Sequence, residues 1–276
     1  MEILLGILAA AAALGAAWGL WRLGARIAAR LGKKAGEAVA GALVLVTAGL
    51  VLLVNFNPAR IPVWVVVSPL VYLEFAYFLP TGVLFFGLAS RRVPDPRSAR
   101  AVAWLSGAMA LYAALHLFLA FDAWSLPQLR AYPPGGPICQ QSTSWSCGPC
   151  SCVTLLKMHG IVSTEREMGE LCMCYPKRGT TIPRFVRGLT LKLRAEGSRL
   201  RVRAEDNLKV SALATFPTPC LLGIRFTLFV DHAVVLTGRD EAGFFLLADP
   251  LTGRVERESA ADMDSRFTGE AIALVE

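Results

Sequence analysis

The residues in this chain best suited to chemistry lie in Gln141-Ser-Thr-Ser-Trp-Ser-Cys147-Gly-Pro-Cys150, where a glutamine precedes a cysteine by six positions. Cys147 opens a helix-patterned stretch that continues through Val153-Thr-Leu-Leu-Lys-Met158. A sulfur at a helix start faces unpaired backbone N–H groups and the positive end of the helix dipole, and both favour the nucleophilic thiolate. Gln141 brings a side-chain amide able to donate to the oxygen of a tetrahedral intermediate. The thiolate also needs a base, and an imidazole needs an acceptor to fix its tautomer. His232, in the strand-like run Asp231-His-Ala-Val-Val-Leu-Thr237, and Asp249, in Leu246-Leu-Ala-Asp-Pro250, complete the set. Taken singly, a strand histidine is more often a packed one and an Asp-Pro pair is normally a turn. Their joint occurrence with the helix-opening Cys-Gly and the upstream glutamine points to cysteine-dependent acyl chemistry.

The elements that must position these groups can be read around them. A helix is expected from Cys147 to His159, closed by Gly160. Ser163 or Thr164 caps a second, running towards Cys174, and Thr180 or Thr181 a third with Pro183 in its first turn. After about residue 199 the pattern changes to strands: Arg199–Ala204, Cys220–Arg225, His232–Thr237, Phe244–Ala248 and Ala271–Val275. Helices followed by an antiparallel sheet make the fold class α+β. Gly238-Arg-Asp-Glu-Ala-Gly243 fits a hairpin turn that would set the histidine and aspartate on adjacent strands.

This part of the chain resembles the bacteriocin-processing peptidases, the double-glycine-leader cysteine peptidases of the papain-like superfamily. The resemblance rests on Gln141, Cys147-Gly148, His232-Ala-Val-Val, Asp249-Pro250 and Gly269 before an apolar end strand, over roughly residues 136 to 276. It implies Cys147 as nucleophile, His232 as base, Asp249 as the residue orienting the imidazole and Gln141 as oxyanion donor, with a peptide or protein substrate and no cofactor or metal. The chain departs from the family pattern at Ser146, where many relatives carry Asp, and it lacks the fused ABC exporter. No G-x-x-x-x-G-K-[ST] phosphate loop occurs, so any transporter partner is expected to be a separate chain. The alternative from another class is a non-catalytic peptide-binding or secretion-accessory module on the same fold. Acyl transfer to an amine would share the thioester intermediate with hydrolysis.

The first half has a different character. Residues 1–121 hold 10 Lys/Arg and 4 Asp/Glu, residues 122–276 hold 18 and 17, and all seven cysteines lie in the second part. Mean hydropathy is +0.49, with the apolar excess before about residue 122. Four bilayer spans are expected, over residues 3–21, 38–56, 61–90 (tilted or kinked at Pro69 and Pro80) and 101–121. No positive segment precedes the first, so a cleaved signal peptide is not expected. Arg22, Arg26, Arg30, Lys33 and Lys34 follow span one, and Arg91, Arg92, Arg97 and Arg100 follow span three. Both loops are therefore read as cytoplasmic, which makes this a cytoplasmic-membrane protein with its N-terminus and catalytic domain extracytoplasmic. The same distribution argues against a nucleic-acid partner and for a lipid bilayer. A Pro- and Gly-rich linker over 122–137 then leads to the peptidase domain at 138–276.

Without Cys147, six cysteines remain: Cys139, Cys150, Cys152, Cys172, Cys174 and Cys220. An oxidising compartment predicts up to three disulfides in any of fifteen pairings. Buried thiols, or a zinc or iron–sulfur site at Cys147-x-x-Cys150-x-Cys152, are the rival readings. Glu74 and His116 are read as packing or interfacial residues of the spans. His159 is read as a cation at a helix C-terminus, and Trp145 as either groove lining or core. The basic run Arg184, Arg187, Lys192, Arg194, Arg199, Arg201 and Arg203 is read as a solvated helix face and an edge strand.

Overall fold

The helix-then-strand order expected from the sequence is the order of the structure, a computed structural model that describes residues 2–56, 59, 61–68, 79–120, 128–174, 179–227 and 230–276. Two units form. The first holds helices α1 (Glu2–Arg30), α2 (Lys33–Phe56), α4 (Leu79–Ser90) and α5 (Pro96–Ala120), and the second holds α3 (Val63–Val66) and everything from residue 128 onward.

In the first unit α4 packs against α1, α2 and α5. Glycine makes the α1–α4 contact possible. A Cβ on Gly24 would strike the Leu84 carbonyl, and one on Gly87 would strike that of Trp21, so small residues let the backbones approach closely. Arg92 donates to the carbonyls of Leu31, Gly32 and Lys33, which closes the junction between α1 and α2. Among the described helices, Ile7–Arg30 within α1 is long and apolar enough to cross a membrane, at 24 residues, while Leu79–Ser90 is apolar but shorter. The expected third span, 61–90, is not one element. Its described ends are separate helices, α3 and α4, in different units. Glu74 and the side chain of His116 lie outside the described residues.

The second unit begins, after α3, with α6 (Cys147–Met158), α7 (Glu165–Leu171) and α8 (Ile182–Ala195). The Thr164 hydroxyl caps α7 by accepting the Glu167 N–H at 3.0 Å, and Thr181 precedes α8 with proline in its first turn. The chain then forms β1 (Arg201–Glu205), a 3₁₀ turn at Val210–Ala214, β2 (Cys220–Thr227), β3 (Val230–Arg239), β4 (Phe245–Asp249), β5 (Arg254–Glu258), α9 (Ala260–Arg266) and β6 (Phe267–Val275). The strands make a six-stranded antiparallel sheet in the order β1-β6-β2-β3-β4-β5. The expected β3–β4 hairpin is present, closed at Arg239 opposite Phe245.

An apolar core gathers Leu222, Ile224, Val234, Leu236, Phe245, Leu247 and Ala271 from the sheet with Phe216 and Met263. Elsewhere α6 packs on β3, where the buried Ser151 hydroxyl donates to the Ala233 carbonyl at 2.9 Å. Two elements, β5 and α9, were not expected. Arg254-Val-Glu-Arg-Glu258 is an edge strand whose charges leave no apolar alternation to read and discourage further pairing. The basic run is also less exposed than expected. Arg184 is buried and donates to the Met173 carbonyl, Lys192 pairs with Glu167 at 2.7 Å and Glu196 at 2.8 Å, and Arg187 holds the carbonyls of Val66 and Val67 at the C-terminal end of α3. Apolar neighbours on an amphipathic helix enclosed these long stems. β1 is an edge strand, as read.

Candidate active site

Cys147 is the first residue of α6, directly after Ser146, so its backbone N–H is among those the helix itself leaves unpaired. Gly148 follows it because nothing larger fits: a Cβ there would lie 2.6 Å from the Phe185 ring. The Cys147 thiol lies near His232 and the backbone N–H groups of Ala233 and Gly148. Burial opposes its charged form, but the His232 hydrogen bond and charge, with those two N–H groups, outweigh it and lower the thiol pKa. The Ser151–Ala233 bond lies one helical turn further along and fixes α6 on the strand that carries the histidine.

His232 is buried, with Nε2 2.7 Å from Asp249 Oδ1. That leaves Nδ1 as the nitrogen for Cys147. Burial disfavours the imidazolium, yet the Asp249 hydrogen bond and the Cys147 thiolate raise the imidazole to about 9. Asp249 Oδ1 also accepts the Leu251 N–H at 2.7 Å. Against its burial, the His232 contact and this N–H hold the carboxylate below its usual range. The arrangement thus favours a thiolate–imidazolium pair backed by a carboxylate. The three groups come from α6, β3 and β4, as the helix start and the hairpin predict.

Gln141 lies on the loop before α6, where its backbone N–H donates to the Pro250 carbonyl at 2.8 Å. Its Nε2 donates to the Thr143 carbonyl at 2.8 Å, and its buried Oε1 has no protein partner. An amide carries two N–H bonds, and the Thr143 carbonyl takes one of them.

The sequence pattern of the peptidase C39 family matches residues 136–276. This chain belongs to the peptidase C39 family. Its C39 region is similar to an uncharacterised protein of Methanothermobacter thermautotrophicus, 31% identical over 142 residues that cover 50% of this chain and 87% of the relative. An uncharacterised protein of Methanothermobacter marburgensis is 29% identical over 139 residues, with the same coverages. Among solved structures, the peptidase domain of Streptococcus ComA, a bifunctional ABC transporter involved in quorum sensing, has a TM-score of 0.43 at 21% identity, covering 50% of this chain and 96% of that domain. A double-glycine-motif protease from an AMS/PCAT transporter, in complex with a leader peptide, has a TM-score of 0.42 at 19% identity, covering 53% and 94%.

The C39 region also corrects the reading of the cysteines. All seven are free thiols, and the expected disulfides are absent. Cys139 and Cys150 come nearest to pairing, but their sulfurs are 3.1 Å apart, a thiol contact well beyond the roughly 2.05 Å of a covalent bond. The Cys174 thiol donates to the Trp145 backbone carbonyl at 3.7 Å, and Trp145 is half-buried. Burial in apolar surroundings pushes Cys150 and Cys152 upward and brings Cys174 and Cys220 to about 12, so these sulfurs stay protonated. No group of three or more His, Cys, Asp or Glu side chains among the described residues is placed to hold a metal ion. His159 departs from its expected cationic role, because burial lowers its pKa. Sequence reasoning passed over two neighbours of the site, Ser151 and Glu165. A serine inside a helix and a glutamate in a first turn are both commonplace, and nothing in their spacing sets them apart.

Proposed function

We propose that this chain is a membrane-anchored cysteine endopeptidase, with an anchor over residues 1–121, a linker over 122–137 and a peptidase domain over 138–276. Membership of the C39 family supports the reaction class. The observation that carries the reading is His232 Nε2 at 2.7 Å from the Asp249 carboxylate, with the same imidazole beside the Cys147 thiol and lowering its pKa. In the reaction the Cys147 thiolate forms a bond to the scissile carbonyl carbon, and the oxygen becomes an oxyanion steadied by the Gln141 amide and the Cys147 N–H. The His232 imidazolium passes its proton to the departing amine as the C–N bond breaks. Water then attacks the thioester, His232 takes a proton from it, and the acid leaves as the thiolate returns.

We read the first unit as the bilayer anchor, with the four crossings expected over 3–21, 38–56, 61–90 and 101–121, of which the described α4, at 12 residues, covers only part of the third. The apolar α1 and the basic junctions beside Arg22–Lys34 and Arg91–Arg100 support both basic loops facing the cytoplasm, with the peptidase domain outside. Substrates near that surface are exported peptides or precursor tails, delivered by a separate transporter.

The test is hydrolysis of a quenched-fluorescence peptide library, with and without Gly-Gly before the cleavage point, by the detergent-solubilised chain. Activity abolished in Cys147→Ala is the expected result. A chain that binds these peptides, leaves them intact and shows no pH-dependent reactivity at Cys147 is a binding module, and the peptidase reading falls.

A further inference from the structure

One acid beside the site takes no part in the chemistry described so far. Glu165, the first residue of α7, is completely buried, at 0% exposure. A carboxylate enclosed in this way survives only if its lone pairs find donors. Its Oε1 accepts the Ser142 N–H at 2.9 Å and its Oε2 the Arg130 N–H at 3.1 Å. The Ser142 and Ser146 hydroxyls lie beside it and help to lower its pKa, while the first donates to the Gln128 carbonyl at 3.4 Å and the second to the Thr143 carbonyl at 3.1 Å. Burial pushes its pKa up, but the Ser142, Ser146 and Arg130 groups bring it below the usual range, so it is anionic.

The identity of those donors matters. Ser142 directly follows Gln141, so the carboxylate fastens the end of the loop that carries the glutamine. Inside the loop the Ser146 hydroxyl accepts the Thr143 N–H at 3.2 Å, and the Thr143 carbonyl accepts the Gln141 amide at 2.8 Å. The acid thus holds the residue next to Gln141, while the Ser146 hydroxyl, donating to that same Thr143 carbonyl at 3.1 Å, ties the far end of the loop to the carbonyl that fixes the Gln141 amide. An apolar residue at the same helix position would avoid the desolvation cost of a buried charge but could not gather these donors.

We infer that Glu165 is a positioning residue that holds the Gln141–Ser146 loop so that the Gln141 amide meets the oxyanion formed at Cys147. The inference rests on the peptidase reading, with Gln141 as oxyanion donor. It differs from a purely structural role in what its loss changes. The thiolate–imidazolium pair depends on α6 and β3, whereas the oxyanion contact depends on the loop.

The experiment compares wild type, Gln141→Ala, Glu165→Gln, Glu165→Asp and the Glu165→Gln/Gln141→Ala double variant in the detergent-solubilised full chain. It measures kcat and KM on a cleaved peptide and the iodoacetamide rate at Cys147. Glu165→Gln is expected to lower kcat about ten- to a hundredfold, with KM and the alkylation rate within about twofold of wild type. The double variant is expected to be no slower than Gln141→Ala alone, because both changes remove one contact. Glu165→Asp, which keeps the charge but draws it back from the Ser142 N–H, should show a smaller kcat loss with the alkylation rate unchanged, and it decides the matter if Glu165→Gln does not fold. The inference is overturned by an unchanged kcat, by losses that multiply in the double variant, or by kcat and alkylation falling together. Wild-type kcat in Gln141→Ala would remove Gln141 as donor and the inference with it, leaving the peptidase reading intact. A wild type no faster than Cys147→Ala would overturn both.

Discussion

At Cys147 and His232 each group sets the charge of the other. The sulfur is lowered and the imidazole is raised to about 9, so the ion pair spans the interval between the two values. The sign of the pH dependence follows. Below the thiol pKa the sulfur is neutral, and above about 9 the imidazolium has lost the proton that the proposed reaction passes to the leaving amine. A profile of kcat/KM against pH should therefore rise through the sulfur's titration and fall near 9, as macroscopic values of the pair. Asp249→Asn removes the carboxylate that helps to raise the imidazole, so the falling limb should move to lower pH and the rate should drop by about 10²-fold or more. His232→Ala should return Cys147 towards an ordinary thiol, and iodoacetamide labelling at pH 6–7 should slow at least about tenfold. Labelling that ignores that substitution would mean the thiolate owes nothing to the imidazole. Mutual proximity of these residues could be anticipated from the chain alone, because a helix-opening Cys-Gly and a strand histidine one hairpin away from Asp-Pro leave few other arrangements. Glu165 could not, since its role depends on what surrounds a glutamate of ordinary spacing.

Among the elements, the contact of α6 with β3 governs how well the pair is aligned. Ser151→Ala deletes the hydroxyl that holds the Ala233 carbonyl, while Ala233 also offers its N–H to the sulfur. A loss of about 1 kcal/mol in unfolding free energy is expected from the missing bond, read from a denaturant melt. Turnover should fall more than that stability change explains, because the helix can then slide on the strand. Gly148→Ala should be worse on both counts, since Phe185 and Thr180 occupy the space of the new methyl. The helix-then-strand order was readable because apolar period and caps agree, as at Thr164 and Thr181. β5 and α9 were not, for opposite reasons. The first is a charged edge with no buried face to announce it, and the second is a seven-residue helix marked mainly by its Ser259 cap on the Asp262 N–H.

Taken whole, the molecule joins a helical unit with one membrane-length described helix to a C39 domain rich in free thiols. Reporter fusions after Glu276 and within the 91–97 loop should give opposite sides of the membrane, with the C-terminus outside. A cytoplasmic C-terminus would remove the exported-substrate reading and leave the chemistry untouched. Thiol titration of the denatured protein, purified without reductant, should return seven reactive groups. The disulfide expectation failed because it came from compartment alone, and a count of cysteines carries no information on whether sulfurs approach within bonding distance.

The bond from the Gln141 N–H to the Pro250 carbonyl has a mechanical consequence. It hangs the glutamine's segment from the corner that also carries the aspartate, so tension applied to either is shared by both. A bound peptide that pulls on one rim would tune proton affinity and charge stabilisation in step. The amide hydrogens of the two segments should then exchange with deuterium at a common rate, and slow together once a peptide aldehyde has captured the sulfur.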